Sequence, residues 1–190
     1  MILPIVAYGH PNLRKISEDI SPDYPGLSEL ISDMFETMAA SNGVGLAAPQ
    51  VNRSIRLFII DAHHYADEYP AAKGFRKIFI NPYITETMGT DWVFNEGCLS
   101  VPEIREDISR KTHVRIRYVD ENFKEHEEVY DGILSRIIQH EYDHLEGILF
   151  VDKVGPLKKV LLKGKLSDIT KGYIKPNYKM IYPVLKKKRT

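Results

Sequence analysis

Apolar residues recur at helical spacing in the stretch YPGLSELISDMFETMAASNGVG, at Leu27, Leu30, Ile31, Met34, Phe35 and Met38. Positions three and four apart share one side of a helix, so this spacing predicts an amphipathic helix from about Leu27 to Ala40. Asn42 and Gly43 follow as residues suited to ending it. IRLFIID and KIFINPYI are short runs rich in β-branched and aromatic residues, and read as strands. AHHYADEYPAAKGF between them reads as a polar and aromatic loop. HVRIRYVDENFKEHEEVY alternates, which predicts two strands around a turn at Asp120, Glu121 and Asn122. GILSRIIQHEYDHLEG returns to helical spacing with Gly147 where a C-terminal cap belongs, and LKKVLLKGKLSDITKGYI predicts a third, shorter helix. No repeat, low-complexity linker or domain boundary interrupts this order. Hairpins between helices, rather than alternating βαβ units, predict an α+β fold: antiparallel sheets packed around the second helix.

The length, 190 residues, fits one domain spanning 1–190 with a sizeable core. Lys+Arg 26 against Asp+Glu 26 gives no net charge, so no global field favours DNA or an anionic membrane. The C-terminal LKKKRT is a local exception, read either as a solvated end or as a weak ribosome contact. The sole cysteine, Cys98, excludes an internal disulfide, and nothing points to an oxidising compartment. The apolar start MILPIVAYGHPNLRK has no basic region before it and is broken by Pro4, unlike a signal peptide or a membrane span. A cytoplasmic protein is expected.

The second helix carries the candidate chemistry. His140 and His144 are four apart, on one face and one turn apart, so both imidazoles can reach one ion. Glu141 is rotated by about 100° from that seam. There it serves better as a general base toward water than as a ligand, which is the logic of H-E-x-x-H. The competing reading is a pair of core or surface histidines, yet two histidines and a glutamate buried without a metal would need other partners. A catalytic site usually has three protein ligands. The metzincin continuation fails because Phe150 stands where a third histidine belongs. A downstream glutamate also fails, since only Asp152 and Asp168 are acidic after Gly147. Upstream, Cys98 in FNEGCLSVP is the remaining candidate, against the ordinary reading of a lone cysteine as a small buried hydrophobe. Thiolate softness would suit Fe(II), Zn, Co or Ni rather than Mg or Ca. In SNGVGLAAPQ small residues would let a ligand approach the backbone, and Gln50 offers an uncharged donor for an oxyanion. A plain turn followed by a polar residue fits that stretch equally well. His10, His63, His64, His113 and His126 read as ordinary loop and strand histidines.

GVGLAAPQ, EGCLS and HEYDHLEG, in that order, resemble the three motifs of the peptide deformylase family, G-x-G-x-A-A-x-Q, E-G-C-x-S and H-E-x-D-H-x-x-G. Every fixed position matches. GHPNLRK and VPEIREDISR are also similar to family segments, and the resemblance covers roughly residues 1–165. The stretch KGYIKPNYKMIYPVLKKKRT does not align and reads as a family-variable extension from about 165 to 190. The resemblance implies removal of the formyl group from N-formylmethionine on nascent polypeptides. It implies Cys98, His140 and His144 as ligands of one divalent ion, natively Fe(II), with Zn, Ni or Co as substitutes. Beside it, Glu141 is expected as base then acid, and Gln50 with the Leu99 backbone N–H as oxyanion donors. Val44, Phe94, Ile133 and Ile137 are expected to form the methionine slot, although core packing explains them equally well. Gly45 and Gly97 would join Val44 in pairing with the substrate backbone. Arg105 would face the far end of the peptide. Arg136 would cover the slot with its stem and keep its head wet. Glu96 would anchor the Cys98 turn, and Asp143 would have a supporting role. Two alternatives remain: a metallopeptidase using the same helix, and a structural metal site.

Overall fold

The computed structural model describes residues 1–183. The basic end LKKKRT, and the ribosome contact expected of it, lie outside the described residues.

Alternation along one central strand organises the packing. In β3 (Leu57–Asp61), Leu57, Phe58, Ile59 and Ile60 are all fully buried. Successive side chains of a strand point to opposite faces. Phe58 and Ile60 accordingly pack with Ile133, Leu134, Ile137 and Ile138 of a helix, α2 (Gly132–Leu145). Leu57 and Ile59 pack with Ile31, Met34, Phe35 and Met38 of another, α1 (Leu27–Ala40). Each such side chain contributes about 1.5–3 kcal/mol on burial. Covering both faces explains why this strand reads as an unbroken apolar run.

The sheet has five antiparallel strands, in the order β2 (Gly45–Ala47), β3, β4 (Arg76–Cys98), β5 (Val101–Val119) and β6 (Glu125–Asp131). β4 and β5 run far beyond the short strands the residue pattern predicts. Their pairing shifts register between Ile80 and Tyr83, Ile84 and Glu86, Met88 and Asp91, and Gly97 and Cys98. Each bulge breaks the two-residue alternation, and that alternation was the only local signal available. The β5–β6 turn sits where expected: Asp120 Oδ1 accepts from the backbone N–H of Asn122 at 2.9 Å and Lys124 at 3.1 Å.

Three further expectations need correction. The GVGLAA stretch is not only a turn, because Gly45–Ala47 forms β2. The last helix, α3 (Pro156–Thr170), has 15 residues against 14 in each of the others, so it is not the shorter one. The second sheet is parallel, pairing β1 (Ile5–Val6) with β7 (Met180–Ile181), two segments far apart in the chain. Among the described residues no helix is long and apolar enough to cross a membrane.

Candidate active site

β4 ends at Cys98, the chain turns through Leu99 and Ser100, and β5 returns from Val101, the pairing partner of Cys98. α2 passes this hairpin end with His140, Glu141 and His144. One ligand atom from each of Cys98, His140 and His144 lies within 4.8 Å of the other two. Cys98 Sγ is 3.3 Å from His144 Nε2. The fold thus brings together the two helical histidines and a cysteine more than 40 residues upstream. Of the remaining histidines, His63 pairs with Asp61 and His126 with Asp120.

This donor set fits a metal cation. His140 Nδ1 lies 2.9 Å from Glu96 Oε2. A hydrogen bond donated there fixes the tautomer and leaves the other ring nitrogen free to ligate. Burial opposes charge on His140, yet its contacts with Cys98 and Glu96 outweigh that penalty and raise its pKa well above the ordinary value. Burial, reinforced by His140 and Arg110, keeps His144 well below its ordinary pKa, so its imidazole is neutral. His144 Nδ1 is buried with no hydrogen-bond partner among the described residues. One sulfur and two imidazole nitrogens suit a transition-type divalent ion, with coordination left for water or substrate.

Behind the triad lies a buried ionic network. Glu96 accepts from Arg110 Nε at 2.7 Å and Nη2 at 2.9 Å, and from Arg136 Nη1 at 2.8 Å. Arg110 also donates to Asp143 at 2.6 Å, and Lys153 lies 3.2 Å from the same oxygen. Burial works against the charge of Glu96, but hydrogen bonds from His140 and Arg110 prevail and hold its carboxyl well below the usual range. Two expectations change. Glu96 holds His140 rather than the Cys98 turn. Arg136 does not keep its head wet: it is buried, donating to Glu96, the Ile108 carbonyl and the Trp92 carbonyl. Asp143 supports the site through Arg110.

A cavity of about 420 Å³ opens beside these groups. All seven residues expected at the substrate, Val44, Gly45, Phe94, Gly97, Arg105, Ile133 and Ile137, line it. So do Gln50, Leu99 and Glu141. Arg105 is exposed at the rim and engaged locally, donating to the Asn95 side chain at 2.9 Å and its carbonyl at 2.6 Å. Gln50 sits in the 3-10 turn Ala48–Val51. Its Oε1 accepts from the Ala47 N–H at 2.9 Å, which turns Nε2 toward Ser100 Oγ at 3.3 Å and Cys98 Sγ at 3.4 Å.

Glu141 is 4% exposed, and its Oε2 has no hydrogen-bond partner among the described residues. Burial pushes its pKa up to about 7. The carboxylate lies directly against Gly45, where an added Cβ would come 2.7 Å from Glu141 Cδ. Gly45→Ala is therefore expected to displace the carboxylate and lower kcat by about 10²-fold, with metal content unchanged. Near-normal turnover in that variant would show that the close seat is unimportant.

Residue patterns missed Arg110, Tyr65, Pro176 and Tyr178. Tyr65, Pro176 and Tyr178 line the cavity, Tyr65 from the aromatic loop after β3 and the other two from the segment after α3. An aromatic-rich loop was a weak signal for Tyr65. No local spacing marks the others.

The polypeptide deformylase family model matches residues 2–160. A peptide deformylase of Christiangramia forsetii is 53% identical over 196 residues, covering all of both chains. One of Flavobacterium johnsoniae is 51% identical with the same coverage. The crystal structure of a peptide deformylase from Legionella pneumophila superposes with a TM-score of 0.79 at 36% identity, covering 93% of this chain and all of that one. These likenesses decide against the metallopeptidase and the purely structural metal site. The chain belongs to the polypeptide deformylase family, hydrolases that remove the N-formyl group from newly made polypeptides.

Proposed function

We propose that Cys98, His140 and His144 hold one divalent ion, and that Glu141, Gln50 and Leu99 act around it in the family's reaction. The substrate is an N-formylmethionyl chain; the products are formate and a free N-terminus. One observation carries this assignment. Glu141, with a buried carboxylate oxygen that has no partner among the described residues, lines the same cavity as Cys98 and His140, whose ligand atoms lie within 4.8 Å of each other and of one on His144.

The bound ion would supply Lewis acidity, making water nucleophilic near neutral pH and polarising the formyl carbonyl. The soft sulfur favours Fe(II), Zn, Ni or Co, with Fe(II) the native choice in our reading. Glu141 takes the proton of the attacking water. As the C–N bond breaks, the same carboxyl returns a proton to the departing amine. A buried carboxylate with one oxygen unpartnered among the described residues is placed to act first as base and then as acid. Gln50 Nε2 and the Leu99 N–H donate to the oxygen that becomes negative as the carbon turns tetrahedral. The methionine side chain enters the slot of Val44, Phe94, Ile133 and Ile137. β2 is an edge strand of the sheet, so the substrate backbone can add alongside Val44 and Gly45 as a further strand, with Gly97 lining the same cavity.

The test is formate release from formyl-Met-Ala-Ser by anaerobically prepared, metal-assayed protein, with unformylated Met-Ala-Ser as control. Rapid release at about one metal per chain supports the assignment; a metal-loaded sample that releases none sinks it. Gln50→Leu should lower kcat by about 10²–10³-fold. A variant with wild-type kcat would remove Gln50 from the oxyanion site.

A further inference from the structure

Residues beyond 160 lie outside the family-model match, yet Pro176 and Tyr178 form part of the cavity wall. The chain returns to the site because β7 pairs with β1. Ile5 N–H donates to the Lys179 carbonyl and Ala7 N–H to the Ile181 carbonyl, both at 2.8 Å. This strand pair delivers two hydrogen bonds onto a single turn. Tyr8, two residues past β1, donates its backbone N–H to the Ser100 carbonyl at 2.8 Å. Tyr178, two residues before β7, donates its hydroxyl to the Leu99 carbonyl at 2.8 Å. Gln50 Nε2 meets Ser100 Oγ from the cavity side at 3.3 Å. Both carbonyls of the turn that follows Cys98 are therefore held from outside it. Burial, with added pressure from Cys98 and Tyr182, raises the Tyr178 pKa, which keeps the phenol a neutral donor.

We propose that Tyr178 is a positioning residue for deformylation. Its hydroxyl, carried by the β1–β7 pair, holds the carbonyl of the Leu99–Ser100 peptide and so restrains the Leu99 backbone torsions, which keeps the N–H of the preceding Cys98–Leu99 peptide aimed at the developing oxyanion. A donor helps a transition state most when no reorganisation is needed at the moment of reaction. Leu99 follows Cys98 directly, so a clamp on its carbonyl restrains rotation of the backbone that carries both groups. On this account the segment after α3 belongs to the catalytic domain and is not a dispensable extension. The inference rests on reading Leu99 as an oxyanion donor.

Tyr178→Phe removes the hydroxyl and keeps the ring. The metal-loaded variant should turn over formyl-Met-Ala-Ser with a kcat about five- to tenfold lower, the scale of one hydrogen bond. KM, inhibition by Met-Ala-Ser and metal content should be unchanged. Amide hydrogen exchange at Leu99 and Ser100 should quicken. A purely structural role would not separate kcat from KM. A kcat within about twofold of wild type, a rise in KM alone, or a kcat loss that tracks metal loss would each overturn the proposal. Gln50→Leu in the same assay separates the two readings. If it too retains wild-type kcat, the oxyanion arrangement itself is wrong; if it loses activity while Tyr178→Phe does not, only the Tyr178 inference falls.

Discussion

Glu141→Gln is expected to lower kcat by about 10²–10⁴-fold while the protein keeps about one metal ion per chain. That range is the usual contribution of a positioned general acid or base. Glutamine has nearly the shape of glutamate, so the close fit against Gly45 survives and the surrounding core is undisturbed. What is lost is the ability to accept a proton. Glu141 is not one of the three clustered donor residues, so its replacement spares the metal site. Metal analysis and steady-state kinetics on one sample separate the two roles. A variant that keeps its metal and loses less than about tenfold in kcat would mean the proton moves through another group. A variant that loses its metal would mean Glu141 supports the ligands instead.

Arg110→Met should destabilise the protein by about 3–5 kcal/mol, the usual cost of removing one partner from a buried charge network. Arg110 is 6% exposed and holds two acids at once, Glu96 and Asp143. Its removal leaves Arg136 on Glu96 and Lys153 near Asp143, but takes away the bridge between the acids. For a chain of this size that corresponds to a fall in melting temperature of roughly 6–20 °C. Urea unfolding of metal-loaded protein measures it, and a loss below about 1 kcal/mol would contradict the network's importance. Lysine should rescue poorly, because one ammonium cannot reproduce the forked contact with Glu96. The acid dependence has a definite sign. The folded-state pKa of Glu96 is depressed, so its contribution is full above the ordinary carboxylate value of 4.5 and is lost as pH falls through the depressed one. Metal binding should weaken in the same variant, because Glu96 orients His140.

Some of this molecule is local in origin. Leu27–Ala40 is written in a 3.6-residue spacing, and α1 occupies those residues. The pairing of His140 with His144, and the offset of Glu141 from them, follow from the rise and turn of one helix. Elimination of other third ligands pointed to Cys98, and the ordered motifs carried the family.

Other features have no local signature. Glu96 and Arg110 meet because the β4–β5 register sets Trp92 opposite Arg110, Phe94 opposite Ile108 and Glu96 opposite Glu106. Positions two apart share a face, so both residues turn toward α2. A strand pattern states which residues alternate, not which neighbour they meet, and the bulges in β4 obscure even the alternation. Tyr178 reaches Leu99 through a parallel pairing of segments some 175 residues apart. The sequence alone determined the helical seam that offers the metal ligands. Only the tertiary structure decided what holds them, because those contacts arise from packing between distant segments and leave no periodic trace in either one.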